Sequence, residues 1–241
     1  MMKFFPRAAV AAALLIIVSS CASQINGSLM GDGQADMQIR AELKPRISAL
    51  ITRFAALSGG SAAPGAPLLD GPSVSASMSG APGIASVALV NKSPTSIEGP
   101  VKISRIGDLL ASGRAGNFIT FEQKNAAGEG RCSVNLSLES GPAILGLISP
   151  DISMYLNALM APLASGEKMT KKEYLDLVAS FYGKDIADEI AGGVIQVSFN
   201  FPGAIQRIKG GTFTGRRADF TIPLPDVLVL ETPLSYEVVW K

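Results

Sequence analysis

The sequence predicts an α+β fold, a largely antiparallel sheet with helices packed on one face. Three observations carry this expectation. Apolar and polar residues alternate in Arg131–Glu139, and again in Ile195–Phe201 and Leu234–Trp240, the period of a strand with one buried face. Leu43, Ile47, Leu50, Ile51 and Phe54 recur at helical spacing, as do Tyr174, Leu177, Val178 and Phe181. The carboxy-terminal third is rich in strand patterns separated by Pro-Gly and Gly-Gly turns.

Composition narrows the function classes. The 241 residues carry 21 Lys and Arg against 20 Asp and Glu, with no histidine and two cysteines. Lys3 and Arg7 fall in the first twenty residues, which hold no acid, so the remainder is balanced to within one charge. Nucleic acid as a bulk partner calls for a strongly basic face and is not expected. Without histidine the usual general base near neutral pH and the commonest zinc ligand are both missing. The chain is long enough for one sizeable core or two small ones.

Taken in order, Met1–Arg7 is basic and Ala8–Val18 is an unbroken apolar run of eleven residues. A bilayer-spanning helix needs about 20 such residues, so the run reads as a secretion signal. Val18-Ser19-Ser20-Cys21 resembles the bacterial lipoprotein signal, the lipobox. The resemblance implies cleavage between Ser20 and Cys21, a diacylglycerol on the Cys21 sulfur, and commonly a further acyl chain (palmitate or similar) on its amine. The membrane is then a partner through these chains, and the address is a bacterial cell envelope. No Asp follows Cys21, which by analogy to lipoprotein sorting favours the outer membrane, facing periplasm or surface. If lipid consumes Cys21, Cys132 has no disulfide partner within the chain.

Residues 1–20 are thus expected as a signal peptide and 21–34 as a lipidated amino terminus and tether. Residues 35–241 form a single α+β domain, with 35–125 and 126–241 as an alternative division into related halves. The stripe from Leu43 to Phe54 predicts a helix ended by Gly59-Gly60, and Ser58–Gly83 reads as a flexible loop or weak edge. Ala85–Val90, Val101–Ser104 and Phe118–Phe121 read as strands, and Arg131–Glu139 as a strand with the Cys132 thiol inward. Ser149-Pro150-Asp151 opens a helix with Ile152, Tyr155, Leu156, Leu159, Met160 and Leu163 on one face. Thr170-Lys171-Lys172-Glu173 is a capping box for the next helix, interrupted at Gly183. The halves rest on a shared order: Pro82-Gly83, a strand pair and Ile106–Leu110 in one, Pro202-Gly203, a strand pair and Leu224–Leu228 in the other.

Tests for catalytic chemistry come out bland. Gly210-Gly211 and Gly215 lack the spacing of a phosphate cradle and read as hairpin turns. Asp185, Asp188 and Glu189 share a helix face but supply too few oxygens for a hard cation. No GxSxG elbow occurs, and no catalytic residue, metal ligand or cofactor site is assigned. Arg207, Lys209, Arg216 and Arg217 lie without an acid among them around the glycine turn, a candidate contact for anionic headgroups.

From Thr170 to Lys241 the order helix, strand, Pro202-Gly203, Gly-Gly turn, strand and a last strand bearing Trp240 resembles the LppM-type domain of bacterial envelope lipoproteins. That resemblance implies an α+β fold likened to lipid-binding modules and brings no catalytic residues. The expected function is a non-enzymatic, lipid-anchored envelope lipoprotein that binds a lipid, another amphiphile or an envelope component. The alternatives are a structural or surface-interaction lipoprotein without a small ligand, and an envelope hydrolase.

Overall fold

The computed structural model describes residues 22–57, 66–111, 118–123, 129–142 and 155–241. It has the expected α+β character, with the strands divided between two sheets of eight and four strands. In the larger sheet β1 (Ala22–Leu29) lies between β2 (Ala35–Glu42), antiparallel, and β8 (Val194–Asn200), parallel. β5 (Ser96–Ile103) continues the sheet beyond β2, and β3 (Ile84–Val87) and β4 (Val90–Ser93) pair with it. On the other side β11 (Arg217–Pro223) pairs with β8, and β10 (Thr212–Thr214) forms the edge. The smaller sheet runs β6 (Ile119–Gln123), β7 (Gly130–Leu136), β12 (Leu234–Trp240) and β9 (Ile205–Lys209), each pair antiparallel.

Residues opposite one another in a ladder share a face, so the registers sort the larger sheet cleanly. Ile25, Met37, Ile39, Val101, Val197, Phe199 and Phe220 fall on one face; Gln24, Gln38, Arg40, Lys102 and Gln196 fall on the other, which is exposed. Helices and the smaller sheet together cover the apolar face. Toward the Glu42 end, Ile39, Ala41 and Ile97 join a core with Leu43, Ile47, Leu156, Tyr174 and Ile190. Toward the Leu29 end, Leu29, Ala35 and Ile103 pack in a second cluster with Phe201, Val238 and Trp240.

The capping box behaves as its chemistry requires. α5 (Lys171–Tyr182) starts with Glu173 N–H donating to Thr170 Oγ1 at 3.2 Å and Thr170 N–H donating to Glu173 Oε2 at 2.7 Å. Gly183, at φ +97°, then breaks the chain before α6 (Lys184–Ala191). The stripe from Leu43 forms α1 (Pro45–Leu57), whose first-turn N–H groups at Arg46 and Ile47 donate to the Glu189 carboxylate of α6 at 3.0–3.1 Å. Glu189 therefore caps a neighbouring helix, while Asp185 pairs with Arg46 and Asp188 with Lys184.

Three expectations need correction. Residues 22–29, read as tether, are a central strand. Ser23, Ile25 and Leu29 are buried, and their alternation with Gln24, Asn26 and Ser28 is masked by small residues. Within Ser58–Gly83, Gly71–Met78 forms α2, where Pro72 sits in the first turn and Val74 and Met78, one turn apart, are buried. The stripe to Leu163 is not one helix: residues 155–158 are helical, Met160 turns at φ 52°, and α4 (Pro162–Ser165) starts afresh. Pro162 has no N–H to continue the first helix and suits the first turn of a new one. The Ser149-Pro150-Asp151 start and Gly59-Gly60 lie outside the described residues. The segments named for two halves share one trait. α3 (Ile106–Ala111) links β5 to β6 and α7 (Leu224–Val229) links β11 to β12, each carrying the chain from the larger sheet to the smaller.

Candidate functional site: an apolar hollow between two sheets

The inward faces of the two sheets do not close on each other completely. Between them lies a hollow of about 190 Å³. Ile25 and Leu29 of β1, Met37 of β2, Val197 and Phe199 of β8 and Phe220 of β11 form one wall. Cys132 and Val134 of β7 with Tyr236 and Val238 of β12 form the opposite one. Met37, Val134, Val197, Phe199, Phe220 and Tyr236 point inward by register yet keep partial exposure, because they face empty space rather than packed atoms. Among the described residues, no helix lines this space except through Ile106 at the start of α3, and the walls come from the two sheets.

Aromatic contacts account for the gap. Phe220 meets Tyr236 edge-on across the sheets at 5.6 Å between ring centres, and Phe201 meets Trp240 at 5.0 Å. These rings set the spacing, while Ala35, Cys132, Val134 and Val197 between them are too small to fill it. At Gly27, opposite, a side chain would run into the Phe199 ring, so the sequence keeps that position bare.

The chemistry of the walls is almost wholly apolar. Burial pushes the Cys132 thiol up to about 11, away from the thiolate form that a nucleophile needs. Burial and, after it, the charge of Asp226 also raise the Tyr236 phenol. A cavity of about 150 Å³ lined by Leu, Ile and Phe stays dry and takes up benzene, whereas drug-sized ligands occupy about 300–1,000 Å³. The hollow thus fits one ring or a length of acyl chain, not a whole lipid.

Among the residues expected to act, Ser20 and Cys21 lie outside the described residues. The four bases distribute over two sheets and a turn. Arg207 Nη2 pairs with Glu237 at 2.8 Å, and Lys209 Nζ donates to Ser235 Oγ at 3.0 Å, both on the outward face of the smaller sheet. Arg216 Nε donates to the Phe201 carbonyl at 2.8 Å from the β10–β11 turn, and Arg217 pairs with Asp219 on β11 at 2.8 Å. Gly210-Gly211 joins β9 to β10, where the chain passes from the smaller sheet to the larger, and Gly215 at φ +60° sits in the following two-residue hairpin turn. Sequence reasoning found β7, β8 and β12 and the inward Cys132, but missed β1 and did not show that two such faces oppose each other; alternation gives a face and not its partner.

Among the described residues, no group of three or more His, Cys, Asp and Glu is placed to hold a metal ion, and no helix is long and apolar enough to cross a membrane. No protein-family model matches the chain, and no curated protein matches it. Among solved structures, the chain is similar to the NMR structure of the folded domain of Mycobacterium tuberculosis LppM. The similarity covers 91% of this chain and 88% of that one, at 10% identity and a TM-score of 0.39, a likeness too loose to carry fold or function from one to the other.

Proposed function

We propose that this protein is a non-enzymatic, lipid-anchored component of a bacterial envelope that holds the apolar part of an amphiphile between its two sheets. The hollow of about 190 Å³ with apolar walls from both sheets is the observation that carries the reading. Acyl chains on Cys21 supply the anchor, and the outer membrane is the favoured address. Each buried CH₂ of a ligand contributes about 0.8 kcal/mol, so five or six methylenes in the hollow provide about 4–5 kcal/mol, near-millimolar binding before ordering costs. Arg216, whose guanidinium donates to the carbonyl of Phe201 beside the hollow, is the base we assign to an anionic headgroup, since Lys209 lies on the outward face of the smaller sheet.

The test uses a Cys21→Ser protein purified without acyl chains. Native mass spectrometry should show a co-purified amphiphile, and decanoate or a short-chain phosphatidylglycerol should raise the melting temperature. Val134→Phe, which puts a ring into the hollow, should abolish that rise. The small volume favours the second reading, a structural or surface-interaction lipoprotein whose hollow is a packing gap. That reading takes over if no amphiphile co-purifies and neither compound shifts the melting curve.

A further inference from the structure

The position of β1 bears on how the domain meets its membrane, an inference that rests on Cys21 being the acylated residue. Pairing begins at Ala22, which is in register with both Glu42 on β2 and Val194 on β8. Strands flank it on both sides, so the anchor leaves from the middle of a sheet end rather than from a loose terminus. Between the acylated sulfur and the first paired residue there is a single residue of chain, about 3.5 Å. Diacylglycerol at headgroup depth therefore leaves no slack.

The same sheet end is built from the turns next to Ala22 in register. Lys44 follows the last residues of β2, Pro94 lies in the β4–β5 turn opposite Ser96, and Gly192-Gly193 leads into β8. The hollow lies further along β1, lined by Ile25 and Leu29. Its centre is about five residues from Ala22, roughly 17 Å at 3.3 Å per residue. The charges at this end are mixed, with Lys44, Arg46 and Lys92 beside Glu42 and Glu189, so anchor geometry rather than net charge sets the contact.

We infer that the domain stands end-on and directly on its bilayer, with the sheet end around Lys44, Pro94 and Gly192 against the headgroups and the hollow lifted off the surface. An amphiphile then reaches the hollow from the aqueous side or from a carrier, not by sliding sideways out of the anchoring leaflet.

The experiment uses the acylated full-length protein in a Cys132→Ser background, with a single fluorophore at Lys44→Cys or Lys92→Cys near the expected contact, or at Gly31→Cys in the β1–β2 turn. An added side chain at Gly31 meets nothing within 4 Å. In vesicles of phosphatidylethanolamine and phosphatidylglycerol with a nitroxide on part of the headgroups, labels at Lys44→Cys and Lys92→Cys should be quenched several-fold more than the label at Gly31→Cys. Inserting twelve Gly and Ser residues between Cys21 and Ala22 should erase most of that difference. Equal quenching at all three sites in the uninserted protein, with the protein on the vesicles, overturns the end-on placement alone. Protein that floats free of the vesicles overturns the acyl anchor and the placement with it.

Discussion

Cys132 combines two properties at one atom: its thiol borders the hollow, and burial moves it up to about 11 from 9.0. The folded protein therefore holds the proton more tightly than the unfolded chain. Stability from this source is fully present below pH 9 and is lost as pH rises through about 11. Replacing Cys132 with Ala should flatten the decline of urea-unfolding free energy over that window, by about 3 kcal/mol at most. At pH 8 only ~1 in 1,000 folded molecules carries the thiolate, so a thiol reagent should label native protein at least about 100-fold more slowly than urea-unfolded protein. Trp240 poses the opposite problem. It is 1% exposed, packed on Phe201 and Phe121, and its indole N–H has no hydrogen-bond partner among the described residues. Trp240→Ala should cost about 3–5 kcal/mol, while Trp240→Phe should cost far less because it also removes the unsatisfied donor. Urea midpoints with an unchanged m-value check both.

At the scale of single elements, the α5 cap and the β7–β12–β9 ladder make separable contributions. Thr170→Ala removes the acceptor for Glu173 N–H and should cost about 1 kcal/mol in thermal or urea unfolding. On the outward face of the smaller sheet, Glu237 sits between Arg131 and Arg207. Burial works to raise its carboxyl, but the two guanidiniums prevail and hold it below its ordinary value. A depressed carboxylate stabilises the fold above its unfolded pKa, and the contribution disappears as pH falls through the folded one. Glu237→Gln should therefore be less stable near pH 7 and lose less stability between pH 5 and 3, by about 1 kcal/mol or less because both arginines are half exposed.

The elements also show where the sequence was readable. β7, β8 and β12 carry large residues in strict alternation and were identified from it, and the capping box located α5. β1 obeys the same period, yet Ser23 and Gly27 on its inward face and Ser28 outside erase the contrast that makes a strand visible. α2 hides in a Ser, Gly and Ala stretch because only Val74 and Met78 report its buried side. Both are held by tertiary partners, the ring of Phe199 over Gly27 and the Ser75–Leu89 contact on α2, which no local pattern encodes.

For the whole molecule, the hollow makes a prediction that does not depend on any ligand. Val134→Phe in the lipid-free protein should raise stability by about 1 kcal/mol, or about 2–4 °C in melting temperature, if the ring enters the space. A lower melting temperature would mean that the walls cannot admit a ring. The α+β class was readable because it depends on periods within segments. The hollow was not, because it depends on the spacing between two sheets, set by the Phe220–Tyr236 and Phe201–Trp240 contacts. The parallel pairing of β1 with β8 has a consequence for biogenesis. As the chain is made, β1 can pair with β2 at once, but its other edge waits for residues 194–200. Until then it offers unpaired backbone in a crowded compartment, a hazard for self-association. A holdase chaperone that shields this edge should matter more to the yield of this protein than to one whose amino-terminal strand finishes its pairing locally.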